Sequence, residues 1–503
     1  MDLERFRLRR FLESLPEAEL ERISRPTELG DVAAALEGNP RAVWFAEAGG
    51  AELAGNVAGS RSRLARALGI PQRDLLQEVM RRLAAPQELV EVRDAPVQAV
   101  VETEQADLTT LPVHLQHALD GAPYVSSAMD VTRDPASGLA NVGIRRLMLR
   151  GRREAGVDLN APSDLRAIYQ AAVQRGSRVP IAFAIGSHPA DHIAATMRVP
   201  GDELALLARM RGAPLAVVKC VTNDLRVPAD AELVLEGYLD ERGYAEPEGP
   251  YGEFLGYYGA LKTNPVFHLT AIARRRDALF QTSTISGRTL ARTDTAQLNA
   301  LRAEVTAWRA LESAVREVRA VYATPAAGGA FNMRVALRQR VPGEARNAIA
   351  AVLGCLANVK HAFVVDEDVD VYSDEQMEWA LATRFQAGRD LIVLSGLRAM
   401  PLDPSLEGGR TASKAGFDLT LPFGAKRGIE AITPEPPRYE GERFPSVAAA
   451  LADGPKFFVE LMSARGSRDG REIVRELEAL RAAGGLTRDA EGRYVHRAAG
   501  PSS

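Results

Sequence analysis

Between Val125 and Arg275 six runs read as strands: VSSAMDVTRD (125–134), NVGIRRLMLRG (141–151), RVPIAFAIGS (178–187), APLAVVKCVTND (213–224), AELVLEGYLDE (231–241) and NPVFHLTAIARR (264–275). Most are closed by Gly, Pro, Asn or Asp, the residues that end extended segments. Two helical stretches, SDLRAIYQAAVQRG (163–176) and DELALLARMRG (202–212), interrupt them. Strand runs at this spacing predict a compact antiparallel barrel or split barrel rather than a doubly wound parallel sheet.

Upstream, RFRLRRFLESLP (5–16) places Phe6, Leu8, Phe11, Leu12 and Leu15 on one helical side, and RAVWFAEA (41–48) reads as a strand. GSRSRLARALGIP (59–71) predicts a helix capped by Ser60 and stopped by Pro71. This is a small α/β unit, and Pro112, Gly121 and Pro123 break any element that would cross its end. Downstream, the long helix AQLNALRAEVTAWRALESAVREV (296–318) leads into RVALRQR (334–340), a helix at 345–357, the strand HAFVVDEDVDVY (361–372) and the helix EQMEWALATRF (375–385), a second α/β alternation. The expected division is therefore 1–112, an N-terminal α/β domain; 113–310, the β-rich domain; 311–465, a C-terminal α/β domain; and 466–503, one polar helix with a frayed tail, RAAGPSS.

A chain of 503 residues exceeds one ordinary domain. With 62 basic and 66 acidic residues interspersed and a net charge of -4, nothing favours nucleic acid or a membrane as the main partner. Cys220 and Cys355 are too few for a disulfide framework, a four-thiolate zinc site or an iron–sulfur cluster, which fits a reducing cytoplasm. MDLERFRLRRFLESL lacks the apolar core of a signal peptide, so neither export nor membrane insertion is expected.

The densest chemical feature is PEGPYGEFLGYYG (247–259). Glu248 and Glu253 flank a Gly-Pro-Tyr-Gly turn that folds both acids toward one volume. A bare acid pair on a turn is usually an exposed β-turn. Here Gly249, Gly252, Gly256 and Gly259 allow close backbone approach to a flat ligand, and Tyr251, Phe254, Tyr257 and Tyr258 are placed to wall it. In such a wall at least one acid is expected to lose hydration and gain general-acid character. On the strand NVGIRRLMLRG, Asn141, Gly143 and Arg145 face one way and Val142, Ile144 and Arg146 the other, so one arginine looks inward, either as a structural partner for a glutamate or as a bidentate holder of a substrate carboxylate. In MRVPGDE (197–203), Asp202 and Glu203 open a helix. Dipole capping accounts for them by itself, and Asn141, Asp164 and Glu203 also make an oxygen-rich set for a hard divalent cation. GRTASKAGFDLT (409–420) has no Walker pattern and reads as a solvated or mobile loop carrying Lys414 to a phosphate. His188 and His192 straddle Pro189 and show no zinc spacing, His114 and His117 read as boundary residues, and Arg288 and Arg292 are candidates for a second anion contact.

These motifs, with KCVTNDLRVPADAE (219–232) and KAGFD (414–418), resemble the UbiD-type decarboxylases over about residues 100–425. The resemblance implies an α/β (α+β) fold in which a flavin-binding split β-barrel is flanked by an N-terminal α/β domain and a C-terminal α/β oligomerisation domain. It implies prenylated FMN as cofactor, supplied by a flavin prenyltransferase, and a homodimer or homohexamer. The family's catalytic arginine and two acids fall on Arg146, Glu248 and Glu253; its cofactor contacts fall on Asn141, Val142, Gly143, Ile144, Arg145, Arg146, Met197, Glu203 and Lys414. Its metal ligands fall on Asn141, Glu203 and, where a histidine is usual, Asp164, an all-oxygen set that tilts the ion toward manganese or magnesium, with potassium as a further cation. The implied reaction is reversible non-oxidative decarboxylation of a heteroaromatic acid through a covalent substrate adduct with prenylated FMN. RRLMLRGRREAGVDLNAPSDLRAIYQ and KTNPVFHLTAI are most similar to the branch converting furan-2,5-dicarboxylate to furan-2-carboxylate, in which Arg288 or Arg292 would meet the second carboxylate. Pyrrole-2-carboxylate and indole-3-carboxylate are the alternative substrates. Outside the family stand an ordinary flavin oxidoreductase and a non-catalytic flavin-holding protein.

Overall fold

The computed structural model describes residues 1–406, 408–424 and 428–496, and the tail expected to fray at 497–503 lies outside them. Two compact units result, Met1–Leu421 and Pro422–Ser503.

At the centre of the first unit six antiparallel strands close on themselves: β1 (Tyr124–Arg133), β2 (Ala140–Leu149), β3 (Glu154–Val157), β4 (Val179–Ile185), β5 (Leu233–Leu239) and β6 (Val266–Arg274). Their order is β5-β4-β1-β2-β3-β6, and β6 pairs back onto β5, so the barrel is closed. Alternation along β4 shows how it fills. Ile181, Phe183 and Ile185 join one core with Leu235, Phe267 and Val157, while Ala182 and Ala184 face the other way and let helices approach. Those helices include α1 (Pro189–Thr196) and α2 (Glu203–Arg211), which pack on β2. Gly237 sits at a register shift in β5, where a Cβ would lie 2.0 Å from the His268 carbonyl oxygen.

The run 213–224, expected among the barrel strands, leaves the barrel: Leu215–Lys219 pairs with Leu89–Glu91 and Arg226–Pro228 in a small side sheet. The boundary expected at residue 112 is also crossed. Val100–Glu102 pairs with β6, and Phe280–Thr282 completes the N-terminal sheet of Leu20–Ile23, Ala42–Ala48 and Ala51–Gly55. Ser60 caps Arg61–Leu68 as read from the sequence, accepting from the Arg63 amide, but Gly69 at φ 73° ends that helix before Pro71 does.

After the long helix α3 (Asp294–Ala314), a five-stranded sheet runs in the order Val318–Ala323, Asn332–Leu337, His361–Asp366, Thr411–Asp418, Leu391–Arg398, packed by α4 (Glu344–Cys355). The second unit consists of α5 (Val447–Ala452), α6 (Phe458–Arg465), α7 (Gly470–Ala482) and a hairpin, Leu486–Arg488 with Tyr494–His496. Val447, Leu451, Leu461, Ile473, Leu477 and Tyr494 share one core. A division at 465/466 would cut that core, so the break falls after Leu421. No helix among the described residues is long and apolar enough to cross a membrane.

Candidate active site

Two short antiparallel pairings build the acid turn: Glu246–Glu248 with Lys262–Asn264, and Tyr251–Gly252 with Tyr258–Gly259. Its glycines make room for the protein's own side chains rather than for a flat ligand. A Cβ on Gly252 would lie 2.4 Å from His117 Nδ1, and one on Gly259 2.7 Å from Glu253 Oε1. The aromatic wall is smaller than read from the sequence: Tyr251 is buried against Tyr124, whereas Tyr257 and Tyr258 are exposed. Asp120 ties the turn down, accepting the Gly252 amide at 2.9 Å on one oxygen and the His117 amide at 2.9 Å on the other.

Arg146 reaches this turn from β2. Its Nε and Nη2 donate to the two oxygens of Glu248 at 2.9 and 3.1 Å, and Nη1 donates to Glu253 Oε1 at 2.8 Å. A third carboxylate, Asp158 Oδ2, stands 3.1 Å from Nη2. The guanidinium also lies 4.4 Å from the Tyr251 ring centroid. Burial alone would lower its proton affinity, but Glu253, Asp158 and Glu248 outweigh that and hold its pKa well above the ordinary value. Burial likewise opposes ionisation of Asp158, yet Arg146 and then Lys262 hold its carboxyl below the usual range. Asn264 closes the network, donating to Glu248 Oε2 at 3.1 Å and accepting from Asn160 at 2.7 Å.

Asp158 and Asn264 were missed in the sequence. The signal for Asp158 was the hairpin of β2 and β3: Leu147 pairs with Val157, so 146 must fall opposite 158.

The predicted metal set gathers where α2 begins against β2. Glu203 Oε2 accepts from Asn141 Nδ2 at 2.7 Å and from the Val142 amide at 2.6 Å, and Asp202 accepts from the amides of Ala205 and Ala140. Asn141, Asp164 and Glu203 line one cleft of about 410 Å³. Burial raises the Glu203 pKa, the Val142 and Asn141 bonds oppose it, and Asp164 and Asp130 add to it. Carboxylates gathered at one cleft are a donor set suited to a hard cation. Among the described residues no three His, Cys, Asp or Glu side chains form a metal cluster, and the set read from the sequence consists of two carboxylates and the Asn141 amide. Next to it, Arg145 Nε lies 3.4 Å from Asp130 Oδ1, and neither oxygen of buried Asp130 has a hydrogen-bond partner among the described residues. Gly143 stands opposite Asp130, where a Cβ would meet Oδ1 at 2.9 Å. Val142 and Met197 are buried and Ile144 half-buried in the same core.

Lys414 departs from expectation. It lies on the strand Thr411–Asp418, not in a mobile loop, and its buried ammonium donates to the Leu353 and Leu356 carbonyls at the end of α4, at 3.0 and 2.8 Å. Cations favour that helix end, and the carbonyls occupy the group that was expected to meet a phosphate. Arg288 and Arg292 are both exposed. The Arg288 amide donates to Glu37, and Arg292 Nη1 donates to the Gly38 carbonyl at 2.7 Å beside a small cavity lined by His114, Gln116 and His117.

Three consecutive family models match the chain: the 3-octaprenyl-4-hydroxybenzoate carboxy-lyase N-terminal domain over residues 16–83, its Rift-related domain over 88–289 and its C-terminal domain over 296–419. An anhydromevalonate phosphate decarboxylase of Methanosarcina mazei is 30% identical over 395 residues, 78% of this chain and 90% of the relative. The UbiD-class enzyme HmfF from Pelotomaculum thermopropionicum, solved with FMN, superposes with a TM-score of 0.81 at 32% identity, covering 86% of this chain and 97% of its own. An evolved dimeric form of HmfF with prFMN superposes at 0.76 and 30% identity, covering 85% and 99%.

Proposed function

Since the chain belongs to the UbiD family and is a decarboxylase of the type that uses prenylated FMN, we propose that its reaction is centred on Arg146, Glu248 and Glu253. The observation that carries this reading is the single guanidinium shared by both acids of one turn.

Loss of carbon dioxide from an sp2 carbon leaves a carbanion that no side chain delocalises, and bound prenylated FMN supplies the electron sink. The rest falls to the chain. In the resting arrangement Nε and Nη2 of Arg146 serve Glu248, Nη2 also faces Asp158, and Nη1 gives one of its two N–H groups to Glu253, so a substrate carboxylate gains both Nη1 donors when Glu253 lets go. Glu253 is the partner to yield. It is held by one arginine bond, is less buried than Glu248, and on taking up a proton stops competing for Nη1. The same proton is then in place to replace the departing carboxyl group. Glu248, fully buried and held through two bonds with Asn264 behind it, fixes the guanidinium plane. In net terms RCO2⁻ and one proton become RH and CO2.

Asn141, Asp164 and Glu203 would hold manganese or magnesium, with potassium beside it, against the cofactor phosphate. Val142, Gly143, Ile144, Arg145 and Met197 would line the cofactor. Its supply by a flavin prenyltransferase, and assembly as a dimer or hexamer, complete the proposal. Lys414 would join the phosphate contacts only by leaving the α4 carbonyls.

For the substrate, furan-2,5-dicarboxylate is the first reading, with Arg292 or Arg288 meeting the second carboxylate beside the small cavity at His114. A second reading, a phosphorylated alkenoic acid, is favoured by the likeness to an anhydromevalonate phosphate decarboxylase. Both substrates carry a second anion. The test is co-expression with a flavin prenyltransferase, followed by carbon dioxide release from furan-2,5-dicarboxylate, pyrrole-2-carboxylate, indole-3-carboxylate and anhydromevalonate phosphate. Release from one diacid or phosphorylated acid is expected. Silence on every acid with the cofactor bound overturns the proposal, and bleaching of an ordinary flavin by a reduced donor would point to an oxidoreductase.

A further inference from the structure

The family models end at residue 419, so the unit Pro422–Ser503 lies outside what the decarboxylase family explains. Its elements follow a definite order. After α5, Lys456 forms an isolated bridge with Tyr494; α6 follows, then a four-residue turn, Gly466 to Asp469, then α7 and the hairpin. Gly466 sits at φ 67°, a left-handed conformation that lets the chain leave α6 and start α7 at once. Two helices joined by a turn of three or four residues containing glycine are a helix-turn-helix. A hairpin packed beside them through Tyr494, with a bridge back to Lys456 just ahead of α6, makes a wing.

The second helix of that motif presents its outer face to a partner. On α7, Ile473 and Leu477 turn inward, and Arg471 and Arg475 lie together on the opposite, exposed face, with Arg468 exposed in the turn before them. Most neighbouring acids already have structural work. Asp469 caps α7, Glu476 accepts from the Val447 amide and Arg465 at 2.9 Å each, and Asp489 accepts from the Glu491 and Arg493 amides that close the hairpin. Among the described residues Arg468, Arg475 and Arg481 have no carboxylate partner, Arg471 pairs only with half-buried Asp469, and Glu478 is the one unengaged acid on this face. The near-neutral charge of the whole chain hides this local cluster.

We propose that the C-terminal unit is a winged helix-turn-helix module that docks on duplex DNA, with the first half of α7 in the major groove. Arginines at the start of a second helix suit phosphate and base edges there, and duplex RNA, whose major groove is too deep and narrow for a helix, fits poorly.

The test is fluorescence anisotropy of the full chain with a labelled 20-base-pair DNA of mixed sequence at low and at physiological salt. Binding in about the micromolar range at low salt, weakening as salt rises, is expected. The Arg471→Ala/Arg475→Ala double variant should bind at least about tenfold more weakly, Glu478→Lys should bind more tightly, and RNA of the same sequence should compete poorly. All three side chains are exposed, and cofactor binding should be unchanged in each variant, which separates this proposal from the decarboxylase reading. Absence of DNA binding at low salt, or equal binding by the double variant, overturns it and leaves the face to a protein partner.

Discussion

Arg146 and Arg211 are built from nearly the same parts. Each guanidinium is clamped between carboxylates and lies against an aromatic ring, Tyr251 at 4.4 Å for Arg146 and Phe6 at 5.0 Å for Arg211. Arg211 donates two bonds to Asp191 at 2.7 and 2.6 Å and two to Asp230 at 2.6 and 3.1 Å. The difference lies in flexibility and balance. Arg211 is 3% exposed and meets short aspartates bidentately on both sides, so no partner can yield without stranding a buried charge. Arg146 is 12% exposed and meets three carboxylates, one of them a glutamate on a turn held by a single bond. A buried arginine with acids therefore does not define a site; one acid that can leave does.

The largest effect should come from removing that acid's proton. Glu253→Gln is expected to cut carbon dioxide release by about 10²–10⁴-fold while thermal unfolding hardly moves, since the amide keeps the size and can still meet neighbours. Near-normal turnover would remove Glu253 from its role. Arg211→Met should do the reverse. It leaves Asp191 and Asp230 unpaired in the core and should destabilise the first unit by about 3–5 kcal/mol, read by denaturant titration. If it unfolds no more readily than the parent, the contrast between the two clusters collapses.

Acid sharpens the comparison from another side. His188 is buried near Arg211; burial first, then Arg211, pushes its pKa down to about 3, and its Nδ1 accepts from the Ala190 amide. A histidine with a folded pKa below its unfolded value takes up its proton only on unfolding. Its neutral burial therefore carries no penalty above about pH 6.5, and stability falls as pH drops from there toward 3. At pH 5 this amounts to about 2 kcal/mol for one such group. Stability curves of parent and His188→Phe should converge near neutrality and separate below it, and parallel curves would mean that His188 is already protonated in the fold.

How much of this was legible follows the same division. The turn 247–259 and the strand 141–151 could be singled out because glycine, aromatic and acidic residues crowd a short stretch, and the barrel because its strands end in clear breakers. Arg211, Asp191 and Asp230 come from distant segments and leave no local pattern. GRTASK reads as a loop, but burial alternates along Thr411–Asp418, and Lys414 stands at an inward position where a helix end accepts it. The second unit is hard to divide from the sequence because α5 and α6 are only six and eight residues long; what unites its helices is a core shared from Val447 to Tyr494, which periodicity within any one helix does not reveal.

The smallest effect is also the most discriminating. Asp158→Asn keeps the shape of the Arg146 cluster and removes one of its three negative charges, leaving the two-acid balance seen at Arg211. If the surplus carboxylate is what favours a shared proton in this pocket, turnover should fall by about tenfold, equivalent to about 1.4 kcal/mol, with little change in unfolding. The alkaline limb of the pH–rate profile should also move to lower pH, because a less negative cluster gives up its proton sooner. A lower rate with an unmoved profile would make Asp158 only a brace for the guanidinium. The distinguishing property of the site would then reside in the freedom of Glu253 alone, not in the count of charges around Arg146.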